Sequence, residues 1–347
     1  MSIGERPGVY ADYEVSGVSY SGNPVGTVGL AAAGGTKGEV LDVTSYAAAV
    51  AAFGAGSDAA EIVKVLIKNG VQTVKAATLG ETPETADYRE AFENLCAEED
   101  VKVIVCDSAD ADVHKALRAA IAGADERTRY KIGIVESAGG VSELTDAAEN
   151  INSERMVLVG PGALSENGES APAGLLSAAL AGTVASASDS AIPLNGVELH
   201  GLGGVNTRLT DGDITLLVRG GVTPVECVGG AVTVVRGITT RTKTNNEDDP
   251  TFRELTTTMI IDDVLPTVRA ALRSGFSRVK NTERTRGAIR TRVIVELEKK
   301  LKAEIIDGYE NVVVAQNAED PTVCDVSFDF MVAHGLNQIR IAAHITV

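Results

Sequence analysis

Apolar and amphipathic stretches alternate from residue 25 to residue 190, and this alternation predicts a doubly wound α/β domain. Apolar runs predict strands at residues 25–33, 71–78, 101–106, 131–135 and 155–160. The stretches between them predict helices at residues 45–54, 58–69, 85–99, 110–124 and 141–150, with Thr44 as the N-cap of the first. Strands that are apolar throughout are typical of a parallel sheet that helices cover on both faces.

The pattern changes after residue 190 and predicts a second, mixed α/β domain that spans residues 191–347. Strands are predicted at residues 196–202, 222–228 and 231–236, the last two joined by a turn at Gly229-Gly230. An exposed loop is predicted at residues 240–250, and helices at residues 262–274, with Pro266 in the first turn, and 288–306. Alternating runs at residues 323–332 and 338–347 predict a terminal pair of strands.

Residues 1–24 have the pattern of an arm. Several prolines and glycines flank one short alternating run at residues 9–15. A strand of this length is stable only when another sheet accepts it, so the arm needs a partner surface. The chain is therefore divided into an arm (residues 1–24), an α/β insertion domain (25–190) and a C-terminal domain (191–347).

One apolar stretch, residues 170–188, raises the question of a membrane span. It is rich in alanine and contains Pro172 and Gly182. These small and helix-breaking residues favour a helix packed inside the protein over a membrane span.

The charge and the cysteines restrict the possible partners. The formal net charge is −17, with 48 acidic and 31 basic side chains, so nucleic acid is not expected as a partner. The four cysteines, Cys96, Cys106, Cys227 and Cys324, form no metal-binding spacing and indicate a reducing compartment. The first residues lack the features of a signal peptide, so we expect synthesis and assembly in the cytoplasm. Aromatic residues make up only 4% of the chain, which argues against a cofactor pocket, and we expect no cofactor.

Candidate catalytic motifs are weak. Gly34-Gly35-Thr36-Lys37-Gly38 lacks the order of a phosphate-binding loop, and Glu39 would repel phosphate. His114 is predicted on an exposed helix face, away from any nucleophile. Asp107 follows a predicted strand, where α/β enzymes place their sites, and it is the best candidate for an enzymatic residue.

A basic segment interrupts the acidic chain at residues 273–292. It holds seven basic side chains and one acid, Glu283. Such a reversal indicates either an acidic partner surface or a solvated face that pairs with nearby acids such as Glu296 and Glu298.

Taken in order, several segments resemble the sheath proteins of contractile phage tails, R-type bacteriocins and extracellular contractile injection systems. They are Arg6-Pro7-Gly8-Val9-Tyr10, Gly237-Ile238-Thr239-Thr240, Asp262-Asp263-Val264 and Arg273-Ser274-Gly275-Phe276, followed by the terminal alternating strand. These motifs cover the first 20 residues and residues 230–347, and the middle of the chain matches by position and fold type.

The resemblance implies a structural subunit, not an enzyme. Such subunits stack as hexameric rings around an inner tube and contract to drive the tube through a target envelope. Implied partners are further copies of the chain, the tube protein, and baseplate and tail terminator proteins, with no membrane insertion. The implied location is the host bacterial cytoplasm during assembly, and then a virion tail or a released particle.

The resemblance also implies that strands exchanged between subunits complete the sheath core domain. We assign one exchanged strand to the arm, with Gly17 and Gly22 as hinges and with Pro7, Gly8, Val9, Tyr10, Tyr13 and Val15 in contact. We assign the other to the C-terminal strand, through Ile339, Ile341, Ala343, Ile345 and Val347. From charge alone we expect a tube-facing group of Arg278, Lys280, Arg284, Arg286 and Arg290.

Two other interpretations remain open. One is a Rossmann-like small-molecule enzyme with a site near Asp107, and the other is a different self-assembling shell or tail component. The family itself includes phage, bacteriocin and injection-system members.

Overall fold

The computed structural model describes residues 26–127, 129–276, 278–338 and 342. The strands in this part of the chain are β1 (Thr27–Ala32), β2 (Val40–Val43), β3 (Val74–Thr78), β4 (Val101–Cys106), β5 (Ile132–Glu136), β6 (Met156–Gly160), β7 (Ala163–Leu164), β8 (Gly204–Val205), β9 (Val222–Val228), β10 (Ala231–Val234), β11 (Lys243–Thr244), β12 (Glu247–Asp248), β13 (Ile306–Gln316) and β14 (Cys324–Val332). The helices are α1 (Tyr46–Phe53), α2 (Asp58–Lys68), α3 (Thr85–Ala97), α4 (Ala111–Glu126), α5 (Val141–Ile151), α6 (Leu175–Ser186), α7 (Asp211–Arg219), α8 (Leu255–Phe276) and α9 (Glu283–Lys302).

A mixed sheet of eight strands forms the centre of the molecule, in the order β10-β9-β6-β5-β4-β1-β3-β2. The six inner strands are parallel to their neighbours, and β10 and β2 pair antiparallel at the two edges. Gly229 and Gly230 join β9 to β10 with φ of 61° and 92°, a conformation that glycine adopts without strain. The predicted doubly wound architecture is confirmed.

Apolar side chains fill both faces of this sheet. On β1, Leu30 and Ala32 face one core with α1, α2 and α6, whereas Ala31 faces a second core with α3, α4 and α5. All three side chains are fully buried. Burial on both faces explains why β1 is apolar at nearly every position.

Helix α6 is the apolar stretch that the sequence places inside the protein, and the structure confirms this. It packs between α2 and the sheet, and nearly all of its residues are buried. Gly182 allows the close approach, since a Cβ there would lie 2.7 Å from the Cβ of Asn69. Among the described helices, none has the length and apolar character needed to cross a membrane.

A third core lies beneath the C-terminal elements. Ile260 and Val264 of α8 pack with Val293 and Leu297 of α9 and with the ribbon formed by β13 and β14. All four side chains are fully buried. The three cores together give the mixed α/β architecture that the sequence predicts.

Two predictions about residues 44–54 and 196–202 are wrong in detail. The N-cap of α1 is Ser45 and not Thr44, because the Ser45 hydroxyl accepts a hydrogen bond from the Ala48 amide at 3.2 Å. Residues 196–202 form no regular strand. Even so, the amides of Gly196 and Leu199 donate to carbonyls of β10 at 2.7 and 2.8 Å and cover its free edge.

Two predictions nearer the C-terminus are also wrong, and one strand was missed. The predicted loop at residues 240–250 contains the short hairpin of β11 and β12, which turns at Asn245 and Asn246. Helix α8 begins at Leu255, so Pro266 lies in the interior of the helix and not in its first turn. Strand β14 pairs with β13, a strand that the sequence analysis missed. The predicted partner strand at residues 338–347 lies almost entirely outside the described residues, and its pairing remains a prediction.

The large sheet continues past residue 190. Its strands β9 and β10 lie inside the segment that the sequence analysis assigns to the C-terminal domain. Elements after residue 250 build the third core.

Candidate assembly interface

Strands β13 and β14 form a long antiparallel ribbon on one side of the third core. Their register runs from Ile306 opposite Val332 to Gln316 opposite Cys324. On β14, alternate apolar side chains including Phe328 and Phe330 pack against the third core. The residues between them, including Asp325 and Asp329, are exposed.

The outer edge of β14 is open within the part of the chain that the structure describes. Its nine residues pair with β13 on one side, and no described strand pairs with the other side. Unpaired amides and carbonyls along a strand edge are a template for a strand from another chain. The edge is therefore one candidate interface, although the outer side of β13 also pairs with no described strand.

The predicted exchange strands cannot be placed against this edge. The arm residues Pro7 to Val15 and the C-terminal residues Ile339, Ile341, Ala343, Ile345 and Val347 lie outside the described residues. Their assignment remains a prediction.

The five predicted tube-facing side chains fall into two groups. Arg286 donates to Asn281 Oδ1 in the turn before α9 at 2.9 Å and to Gln316 Oε1 of β13 at 3.5 Å. Arg290 Nε donates to the Val312 carbonyl of β13 at 2.8 Å, so both side chains connect α9 to the ribbon. Within the described part of the chain the other three form no ion pair, and all are exposed around the turn between α8 and α9. They are Arg278, Lys280 and Arg284.

A buried charge cluster joins the central sheet to α8. Arg155, which precedes β6, donates from Nη1 to both carboxylate oxygens of Asp262 at 2.9 and 3.0 Å, and its Nε lies 2.9 Å from Asp125. The guanidinium also stacks on the Tyr130 ring, with its carbon 4.8 Å from the centroid. Arg269 of α8 lies over the same ring. No single segment of the sequence reveals this cluster, because its members are up to 144 positions apart.

Asp107, the best enzymatic candidate, has a structural role. Its carboxylate accepts hydrogen bonds from the Ala33 amide at 2.7 Å and from the Tyr88 hydroxyl at 2.6 Å. Burial raises the pKa of Asp107, and the two donors oppose that rise. The Asp107 carboxylate therefore connects α3 to the carboxyl ends of β1 and β4.

The other catalytic candidates also have local partners. His114 of α4 is buried, and not exposed as predicted. Its Nε2 lies 3.0 Å from the Ser108 carbonyl, just before the helix. Lys37 of the glycine-rich loop pairs with Asp87 at 2.6 Å and does not line a phosphate site. In the described part of the chain, no group of three or more His, Cys, Asp or Glu side chains could hold a metal ion.

The sequence analysis missed one buried acid, Glu136, at the end of β5. Its Oε2 accepts a hydrogen bond from the Ser177 amide in the first turn of α6 at 2.8 Å. Burial raises the pKa of Glu136 to about 7, although the amides of α6 act in the opposite direction. Glu136 follows an apolar run, and in the local sequence a polar residue at that position indicates only the end of a strand. The sequence therefore does not predict that this acid is buried.

Comparison with solved structures shows where this fold occurs. The contracted helical sheath of the anti-feeding prophage matches with a TM-score of 0.71 and 16% identity, over 99% of both chains. A chain of the anti-feeding prophage baseplate matches with a TM-score of 0.76 and 15% identity, over 99% of this chain and 100% of the other. A sheath tail protein from Desulfitobacterium hafniense matches with a TM-score of 0.70 and 12% identity, over 94% of this chain and all of the other. At these identities the likeness concerns the fold.

Sequence comparison identifies the family. The model of the phage tail sheath protein central domain matches residues 81–240, and that of the phage tail sheath C-terminal domain matches residues 247–346. The tail sheath protein of Bacillus phage SP01 is 28% identical over 274 residues, which are 76% of this chain and 46% of that protein. The chain thus spans about half the length of this curated relative. The two domain models together cover most of the chain, and the chain belongs to the phage tail sheath family, a family of structural proteins and not of enzymes.

Proposed function

We propose that this chain is the sheath subunit of a contractile particle. Copies polymerise as stacked hexameric rings around an inner tube and contract to drive the tube through a target envelope. Family membership supports this function, and the likeness to a contracted helical sheath and to a baseplate chain agrees with it. The subunit functions in a virion tail or a released particle, after assembly in the host bacterial cytoplasm.

The open edge of β14 is the observation that carries the proposal. The arm of one subunit and the C-terminal strand of another add to this ribbon and link neighbouring copies through backbone hydrogen bonds. Each such bond contributes about 0.5–1.5 kcal/mol net, so one added strand makes a strong but flexible link. The buried cores then move as rigid bodies while the strands keep the copies connected.

The remaining partners follow from this arrangement. Arg278, Lys280 and Arg284 face the inner tube, and the ends of the polymer meet baseplate and tail terminator proteins. We retain a three-part division of the chain into an arm, an inserted α/β domain and a C-terminal core. Because β9 and β10 pair within the large sheet, we propose a second boundary in the segment between the two family matches in place of residue 190.

Deletion of the arm tests the strand exchange. A chain lacking residues 2–15 should keep the secondary structure and unfolding midpoint of the wild type, but should form no long cylinders in negative-stain electron microscopy. A matched control lacking only residues 2–6 keeps the alternating run and should assemble. Cylinders of wild-type length from the longer deletion would refute strand exchange through the arm.

The same images test the function as a whole. Purified wild-type chain should form ribbed, hollow cylinders under assembly conditions. Small oligomers of uniform size, together with saturable binding of a small molecule, would instead favour an enzyme.

A further inference from the structure

One side chain, Asn281, joins the turn before α9 to the tip of the ribbon. Its Nδ2 donates to the Pro321 carbonyl at 2.9 Å and to the Val323 carbonyl at 3.1 Å, both in the loop between β13 and β14. Its Oδ1 accepts from Arg286 of α9 at 2.9 Å. Because an amide side chain offers donors at one end and an acceptor at the other, Asn281 connects three elements at once.

The tip of the ribbon, residues 317–323, is itself ordered by hydrogen bonds. Asn317 Oδ1 accepts from the amides of Glu319 and Asp320 at 2.9 and 3.0 Å, and Asn317 Nδ2 donates to Asp325 of β14 at 2.9 Å. The Asn281 contact therefore attaches the turn to a loop with a defined shape. A surface that is ordered before binding loses less conformational entropy when a partner docks.

Two exposed valines lie beside the Asn281 contact. Val279 stands two positions before Asn281 and is 53% exposed, and Val323 supplies one of the bonded carbonyls and is 41% exposed. Single exposed valines are ordinary, but these two come from separate elements that the same side chain brings together. They give this end of the molecule the apolar centre that is typical of a protein interface.

The charges around the valines differ between the two elements. Arg278, Lys280 and Arg284 are exposed on the side of the turn and form no ion pair within the described part of the chain. Glu319 and Asp320 are exposed on the side of the tip. A partner that fits both elements must place its carboxylates opposite the turn and keep them away from the tip, and this requirement fixes the register of the contact.

We propose that Asn281 is a positioning residue for the contact with the inner tube. It holds the three basic side chains of the turn at a fixed distance from the tip, and the two valines form the apolar centre of the same contact. The matching tube surface carries carboxylates beside a small apolar area. This inference rests on the proposed function and deepens it, since it adds a residue that touches no tube atom and an apolar part to a contact assigned from charge.

Removing the side chain is the first test. The folded variant Asn281→Ala should need a roughly tenfold or higher concentration of subunit to grow sheath on purified inner tubes, because the turn must then be ordered during binding. The control Asn94→Ala removes an exposed asparagine of α3 and should grow sheath like the wild type. Growth of Asn281→Ala at the wild-type concentration would overturn the inference.

A double-mutant cycle separates positioning from a general loss of stability. If Asn281 acts through the basic side chains, its replacement should cost about threefold or less in a chain that already carries Arg278→Gln and Lys280→Gln, since coupled residues are not additive. An Asn281→Ala effect of the same size in both backgrounds would show a structural role alone and contradict the inference.

The valines test the apolar part of the contact. Val279→Ser and Val323→Ser should each raise the required subunit concentration by roughly five- to tenfold, because apolar area buried against the tube is lost. Val228→Ser, at an equally exposed valine of β9, should have no effect. Wild-type behaviour of both tip variants would remove the valines from the contact and overturn that part of the inference.

Photocrosslinking identifies the partner directly. Val279 is replaced by p-benzoylphenylalanine, and sheath grown on tubes is irradiated and analysed by mass spectrometry. A crosslink to the tube protein, in a peptide that contains Asp or Glu, is expected. A crosslink to a second copy of the sheath chain would overturn the inference and leave the proposed function intact. Wild-type chain that grows no sheath on tubes would refute the proposed function itself, a result visible before any variant is made.

Discussion

Arg155 and Asp262 are 107 positions apart, and the Nη1 atom of Arg155 lies 2.9 and 3.0 Å from the two carboxylate oxygens of Asp262. Arg155 immediately precedes β6 of the large sheet, and Asp262 lies in α8, which contributes to the third core. Both side chains are largely buried. The pair therefore connects α8 to the sheet through a buried ion pair, in which one guanidinium nitrogen contacts both oxygens of one carboxylate.

Removing this pair should destabilise the subunit strongly. Asp262→Ala leaves the Arg155 guanidinium without its bidentate partner, and breaking a buried pair in this way costs about 3–5 kcal/mol. Urea unfolding of the purified chain measures the free energy. The control Glu149→Ala removes the exposed partner of Lys243 and should cost less than about 1 kcal/mol. Equal costs for the two variants would show that the buried pair has no special role.

Glu136 should make the stability depend on pH. Its pKa is raised to about 7 in the folded chain from an ordinary value of 4.5. Between these values the folded chain holds a proton that the unfolded chain releases, so the contribution of Glu136 falls as pH rises and is lost above about pH 7. The loss is on the order of 3 kcal/mol.

The variant Glu136→Gln isolates this effect, because it removes the ionisation and keeps the size of the side chain. The difference in unfolding free energy between wild type and variant should change between pH 5 and pH 8, with the wild type losing more. The exposed Glu126→Gln serves as the control and should run parallel to the wild type. Parallel curves for Glu136→Gln as well would contradict the assignment.

The contact between α6 and α2 should tolerate only glycine at position 182. A Cβ there would lie 2.7 Å from the Cβ of Asn69 and 3.1 Å from the Leu66 carbonyl, so Gly182→Ala should cost about 1–3 kcal/mol. Gly123 of α4 has no atom within 4 Å of such a Cβ, and Gly123→Ala should stabilise the helix by up to about 1 kcal/mol. Thermal unfolding of the two variants checks the difference in sign.

The tube-facing assignment makes a prediction about polymerisation on tubes. Reversing Arg278, Lys280 and Arg284 to glutamate should abolish sheath growth on purified tubes, because like charges then meet at the interface. Arg286 and Arg290 are left unchanged, since they connect α9 to β13 of the ribbon. The control reverses Lys102, Arg118 and Arg127, which are exposed on the central domain. Unchanged growth and salt dependence in the first variant would place the tube against another surface.

The local pattern predicts the parallel strands of the large sheet well, since they are mostly apolar and the helices between them have clear ends. It misses the short edge strand β2, which contains Asp42. Strand β4 has the predicted bounds, and α2 differs from the prediction by one residue. The ribbon could not be predicted in the same way. Strand β13 contains an irregularity near Asn311, which has a φ of 53° and breaks the alternation that marks a strand.

Tertiary contacts explain the other differences. The first turns of α8 contain Thr256, Thr257, Thr258 and the Ile260-Ile261 pair, which have low helix propensity, and burial in the cores overrides that preference. His114 is buried because the helix turns it toward Ser108, a partner that lies before the helix begins.

The open edge of β14 has a consequence for subunits that have not yet assembled. In the described part of the chain this edge has no partner, so uncontrolled pairing between copies competes with ordered growth. The exposed acids Asp325 and Asp329 oppose the pairing of two β14 strands, since like charges on neighbouring strands repel. Nucleation by a different surface, and not subunit concentration alone, should therefore decide when polymerisation starts, and a pool of subunits should persist in solution until that surface is present.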